Sequence, residues 1–144
     1  MNYDILDKSN YLKGLLLLCR KDNLVVKEEK DILISIGKEL GFEKRFCENA
    51  VKEIMENEYI IDVPPKFSNK ELAEKFLEDG VRLAMADKCL HLFELQWLAQ
   101  TAEINDIENS KIDELFKKYI DENNIDLPFV EDASKISAWW RIEV

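Results

Sequence analysis

At 144 residues, with 47% hydrophobic and 35% charged residues and only 4 Gly and 3 Pro, the chain can bury a core without metal or disulfide support. It suits a helix-rich domain rather than a disordered or all-β one. The 30 acidic and 20 basic residues give a formal charge of -10, a field that repels nucleic acid and favours cations or basic partners. The longest apolar run, Leu15 to Cys19, is far short of the roughly 20 residues that span a bilayer, and no leader pattern precedes it. The expectation is a cytoplasmic protein with no membrane insertion.

Met1 to Lys8 read as a polar lead-in. Tyr11, Leu12, Leu15, Leu16, Leu18 and Cys19 then recur at helical spacing, predicting a first helix that ends near Arg20. Lys21 to Val25 make a tight connection in which Asn23 tolerates a left-handed backbone. A second helix is expected from about Val26, with Ile32, Leu33, Ile36 and Leu40 as its core stripe and Gly41 as its terminator. Phe46, Cys47, Ala50, Val51, Ile54 and Met55 mark a third helix. The Pro-Pro pair within Tyr59 to Phe67 cannot continue a helix, so the chain crosses over there in an extended form. Ser68 and Glu71 have the spacing of a capping box ahead of a fourth helix that carries Leu72, Phe76, Leu77, Val81, Leu83 and Ala84 and ends near Asp87. Leu95, Trp97, Leu98 and Ala102 mark a fifth helix, and Ile112, Leu115, Phe116, Tyr119 and Ile120 a sixth. Beyond Asn123 and Asn124 lies a tail in which 131–141 could form a short last helix presenting Trp139 and Trp140.

The pattern occurs twice. Adding 65 to a residue number carries Tyr11 onto Phe76, Leu16 onto Val81, Leu33 onto Leu98 and Val51 onto Phe116, and it carries Asp22 and Glu29 onto Asp87 and Glu94. Three short helices have too little core to stand alone, so two such units should pack about a pseudo-two-fold axis. The predicted fold class is all-α: a single-domain helical bundle of about six to seven helices built from two pseudo-symmetric three-helix units. Unit one covers about 9–57, a linker 58–67, unit two about 68–123 and the C-terminal tail 124–144.

In each unit an Asp after one helix is followed three positions later by an apolar residue and seven positions later by an acidic one: Asp22, Val25 and Glu29, then Asp87, Leu90 and Glu94. On these residues the chain resembles the tellurite-resistance TerB family, an all-helical fold with a similar duplication. The resemblance covers roughly Tyr11 to Tyr119. Asn23 and Lys88 stand where that family favours Gly, and Val26 and His91 where a capping Ser or Asp is usual. The resemblance implies a non-enzymatic stress-response module whose acidic residues take part in divalent-cation binding.

Read from chemistry alone, Asp22, Glu29, Asp87 and Glu94 form a carboxylate set suited to a hard divalent cation such as Ca, Mg or Mn. The stronger competing reading makes the same residues local caps, since a first-turn Glu satisfies free amides and an Asp in a tight loop bonds its own backbone. Asp87, Cys89, His91 and Glu94 resemble a zinc set, but the counterparts of Cys89 and His91 are Leu24 and Val26, which cannot ligate metal. Cys19, Cys47 and Cys89 read as reduced thiols, mostly core filler. Phe129, Trp139 and Trp140 are the candidate protein-partner epitope, against the competing reading of a tail that covers the core. A metal-dependent, hydrolase-like enzyme using the acidic loops is the alternative function; the sole histidine leaves no His-based catalytic pair.

Overall fold

Apolar residues at three- and four-residue spacing produce six helices in the computed structural model, which describes residues 3–20, 26–57, 63–86 and 92–123. In order they are α1 (Ile5–Arg20), α2 (Lys27–Glu39), α3 (Lys44–Glu56), α4 (Lys70–Ala84), α5 (Leu92–Ile104) and α6 (Asn109–Glu122). The first residues of α1, α2 and α3 fall on those of α4, α5 and α6 when 65 is added. A seventh helix in the tail would lie outside the described residues.

Packing repeats as well. Helix α1 lies against α2 and α3, α4 lies against α5 and α6, and α1 meets α4 at the centre. The outer helices of each unit also meet, α2 with α3 and α5 with α6, and the further contacts between units are reciprocal, α1 with α5 and α4 with α2, as a two-fold relation between the units requires. A helix surrounded by neighbours must be apolar on most sides, and α1 buries Tyr11, Leu12 and every residue from Gly14 to Cys19. Leu16, Leu33, Val51, Val81, Leu98 and Phe116, the core pairs predicted from the duplication, are all buried. Phe46 is the exception within the predicted stripes: it is 53% exposed and stacks on Phe42, with ring centroids 5.1 Å apart. Cys19 and Cys47 are buried; Cys89 lies outside the described residues. No helix among the described residues is long and apolar enough to cross a membrane.

Two expectations about helix starts need correction. The lead-in is already helical from Ile5, because Asp4 caps α1 by accepting the Asp7 amide at 2.8 Å. Asp7 is 5% exposed and is engaged by Ser68, whose backbone N–H donates to Oδ1 at 3.1 Å and whose hydroxyl donates to Oδ2. Ser68 lies one residue before the N-cap position of α4 and does not cap it. Asn69 does, its Oδ1 accepting the Leu72 amide at 2.7 Å.

Both second helices end in the same turn. Gly41, at φ 98°, donates its N–H to Lys38 O while Phe42 donates to Gly37 O, so the orphan carbonyls of α2 are closed by a left-handed residue. Sixty-five residues on, Asp106 at φ 57° donates to Glu103 O and Ile107 to Ala102 O. A non-glycine residue pays a steric penalty in that conformation. Asp106→Gly should therefore stabilise the protein by roughly 0.5–1 kcal/mol, readable as a higher urea midpoint at unchanged slope.

Candidate functional site

Glu29 and Glu94 occupy equivalent first-turn positions of α2 and α5, where a carboxylate faces free amides and the positive end of the helix dipole. Both are buried, at 2% and 1% exposure. Glu29 Oε1 accepts the Val26 N–H at 3.1 Å, the reaching-back half of a capping box. Helices α2 and α5 make no contact with each other among the described residues. Asp22, Asp87, Cys89 and His91 lie outside the described residues, as do Phe129, Trp139 and Trp140. Among the described residues, no group of three or more His, Cys, Asp or Glu side chains is placed to hold a metal ion.

The structure draws attention to a place the acidic-loop pattern does not include. A cleft of about 270 Å³ opens between α1, α2 and α4, with Tyr11, Ile36, Leu40 and Leu72 among its apolar walls. Its polar lining comes from Lys8, Lys75, Glu39 and Asp79, two cations and two anions, with Tyr3 and Gly41 completing it. That volume is just below the roughly 300–1,000 Å³ of small-molecule sites and suits one large side chain.

At the centre of the molecule the Tyr11 hydroxyl donates to Asp79 Oδ2, joining α1 to α4. Arg82 Nη1 stands 3.9 Å from Asp79 Oδ1. Burial pushes the Asp79 carboxyl above its ordinary range, and the Tyr11 bond with the nearby Arg82 and Lys75 charges offsets part of that rise. The Tyr11 phenol is driven far upward, by burial first and by the Asp79 charge second. Tyr11 is thus a fixed neutral donor at physiological pH rather than a group that exchanges protons. Helix periodicity marks Tyr11 as core, and the signal that it would need a partner is its hydroxyl, since a buried Tyr O–H almost always finds an acceptor.

The raised Asp79 pKa has a definite sign. A carboxyl whose pKa is higher folded than unfolded contributes stability that is complete below the unfolded pKa and is lost as pH rises through the folded value. Asp79→Asn keeps an acceptor for Tyr11 without a buried charge. Measured against wild type by urea unfolding, it should gain relative stability between pH 4 and pH 7.5; an unchanged difference would contradict the burial of that charge.

Compared with protein-family models, curated proteins and solved structures, the chain gives no match. What fold and site define is a class: an all-α bundle of two repeated three-helix units with an open cleft at their junction.

Proposed function

We propose that the protein is a non-enzymatic helical binding module of the TerB-like kind, whose ligand is a segment of a protein partner and whose setting is a stress response. The cleft beside Tyr11 and Asp79 carries this reading: it is concave, apolar in its walls, charged in its lining, and centred on a neutral phenol. The TerB likeness is supported by the helices that repeat at an offset of 65 and by the equivalent buried carboxylates Glu29 and Glu94. Selection of a random twelve-residue peptide library displayed on phage against the full-length protein tests it. Enriched peptides that bind specifically when synthesised support a polypeptide ligand, and a selection that yields none opposes it.

A second reading, a divalent cation held by Asp22, Glu29, Asp87 and Glu94, has the equivalence of the two buried glutamates for it and the lack of contact between α2 and α5 against it. Site-bound Ca or Mg raises the melting temperature by mass action, and Asp22→Asn combined with Asp87→Asn should erase that rise. The comparison belongs at about 0.15 M ionic strength, where diffuse attraction to an acidic surface is screened beyond about 8 Å. Equal shifts in the two proteins would sink the cation reading.

A further inference from the structure

The cleft has a counterpart that is already filled. Carried across by 65, its walls Leu40, Leu72, Asp79 and Glu39 become Asn105, Asp7, Gly14 and Ile104, and each of these four meets the segment Pro65 to Ser68. Asn105 donates from Nδ2 to Pro65 O and accepts the Phe67 N–H at Oδ1, both at 2.9 Å. Asp7 accepts from Ser68. Gly14 lies under Pro65, whose Cγ would be 2.8 Å from any Cβ placed there. Lys66 Nζ reaches Ile104 O at 3.4 Å. In the filled cleft, then, an extended segment is held by its backbone, buries Pro65 and Phe67, and lays a lysine over the carbonyl end of α5.

The open cleft keeps that shape and changes its chemistry. Leu40 and Leu72 replace the backbone-bonding Asn105 and Asp7, so an occupant is gripped by apolar side chains rather than by its amides. Glu39 replaces Ile104 at the position Lys66 reaches, adding a carboxylate to the negative end of a helix dipole. Asp79 replaces Gly14, which removes the room for a proline ring. The residues of this chain that correspond to Lys66 and Phe67 are Met1 and Asn2, neither of which has a cationic or aromatic side chain.

We infer that the cleft between α1, α2 and α4 docks an extended segment of a basic partner protein, in which a large apolar side chain enters between Leu40 and Leu72 and an adjacent lysine or arginine meets Glu39. The formal charge of -10 favours such a partner at a distance. Lys8 and Lys75 balance Glu39 and Asp79 over the lining as a whole, so the basic preference at close range rests on the position of Glu39 alone, at the carbonyl end of α2. The inference rests on the polypeptide-ligand reading above.

The peptides enriched on the full-length protein provide the test. They should carry Lys or Arg beside a large apolar residue. By fluorescence anisotropy, Glu39→Lys should weaken them about tenfold or more, the scale of one reversed charge pair. Exchanging the peptide's basic residue for Glu should restore binding to Glu39→Lys, a recovery that an unfolded variant could not give. Leu40→Asn should weaken the same peptides. Enriched peptides with no basic preference, or with equal affinity for wild type and Glu39→Lys, would overturn the cleft as the docking site while leaving a peptide-binding module standing. Failure to enrich any peptide would remove both. Enrichment only after Leu127, Pro128 and Phe129 are changed to Ser would assign the cleft to the chain's own tail, and self-association lost in Glu39→Lys would assign it to a second copy; either would overturn a partner segment.

Discussion

Leu98→Ala is expected to cost about 2–5 kcal/mol of unfolding free energy, and Leu33→Ala a similar amount. Both side chains are fully buried and hold equivalent positions in α5 and α2, so each truncation opens a cavity against the central helix pair. The two sites differ in one respect. Leu98 Cδ2 would lie only 2.5 Å from a Cβ at Gly80, so α5 approaches the backbone of α4 through this leucine, and the missing glycine side chain leaves nothing to relax into the void. Leu98→Ala should therefore be the more damaging of the pair. Denaturant unfolding decides it, and a loss under about 0.5 kcal/mol, the scale of ordinary surface changes, would mean the core contact is absent.

Asn105→Leu is the second large effect. It substitutes the residue found at the equivalent Leu40 and removes bonds to Pro65 O, Phe67 N–H and Thr101 O. Asn105 is 8% exposed and Phe67 6%, so a buried amide and a buried carbonyl lose their partners, at about 1–3 kcal/mol for each. The combined loss should be about 2–6 kcal/mol, with faster hydrogen exchange at the Phe67 amide. Asn105→Asp keeps the acceptor for that amide but not the donor for Pro65, and should fall between. A Phe67 amide that exchanges at the wild-type rate in Asn105→Leu would show that the linker is held without Asn105, by the Ser68–Asp7 bonds and by Phe67 packing, where its ring lies 5.2 Å from Phe76 and 5.8 Å from Tyr11.

The helices were legible because burial imposes a period. Leu33 and Leu98, or Val51 and Phe116, are apolar for the same geometric reason in both units, and one offset finds them all. Gly41 was legible as a terminator because its backbone conformation excludes most residues, whereas Asp106 performs the same turn without a residue type that announces it. Ser68 misled: its spacing to Glu71 fits a cap, but α4 starts one residue later with Asn69 at its N-cap, and Ser68 instead donates to Asp7, 61 positions away in sequence. The spacing of Asp4 and Asp7 was the local sign that α1 begins early. The cleft left no pattern at all. Glu39 and Leu40 end α2 while Leu72 and Asp79 belong to α4, and their meaning appears only beside the linker contacts of the other unit, where Asn105 and Asp7 act through bonds between residues 38 to 61 positions apart.

A connector seated in one of two related clefts also sets how many ligands a chain can carry. A dimer of separate three-helix units would present two identical grooves and bind two identical segments, with no means of telling them apart. Here the polypeptide that joins the units occupies one groove permanently and at no cost in concentration, because it is part of the same molecule. Saturation should therefore come at one segment per chain. Among the described residues the covalent join fills one of two related clefts and leaves the other open, so the residues of the open cleft can specialise while those of the filled one must keep their grip.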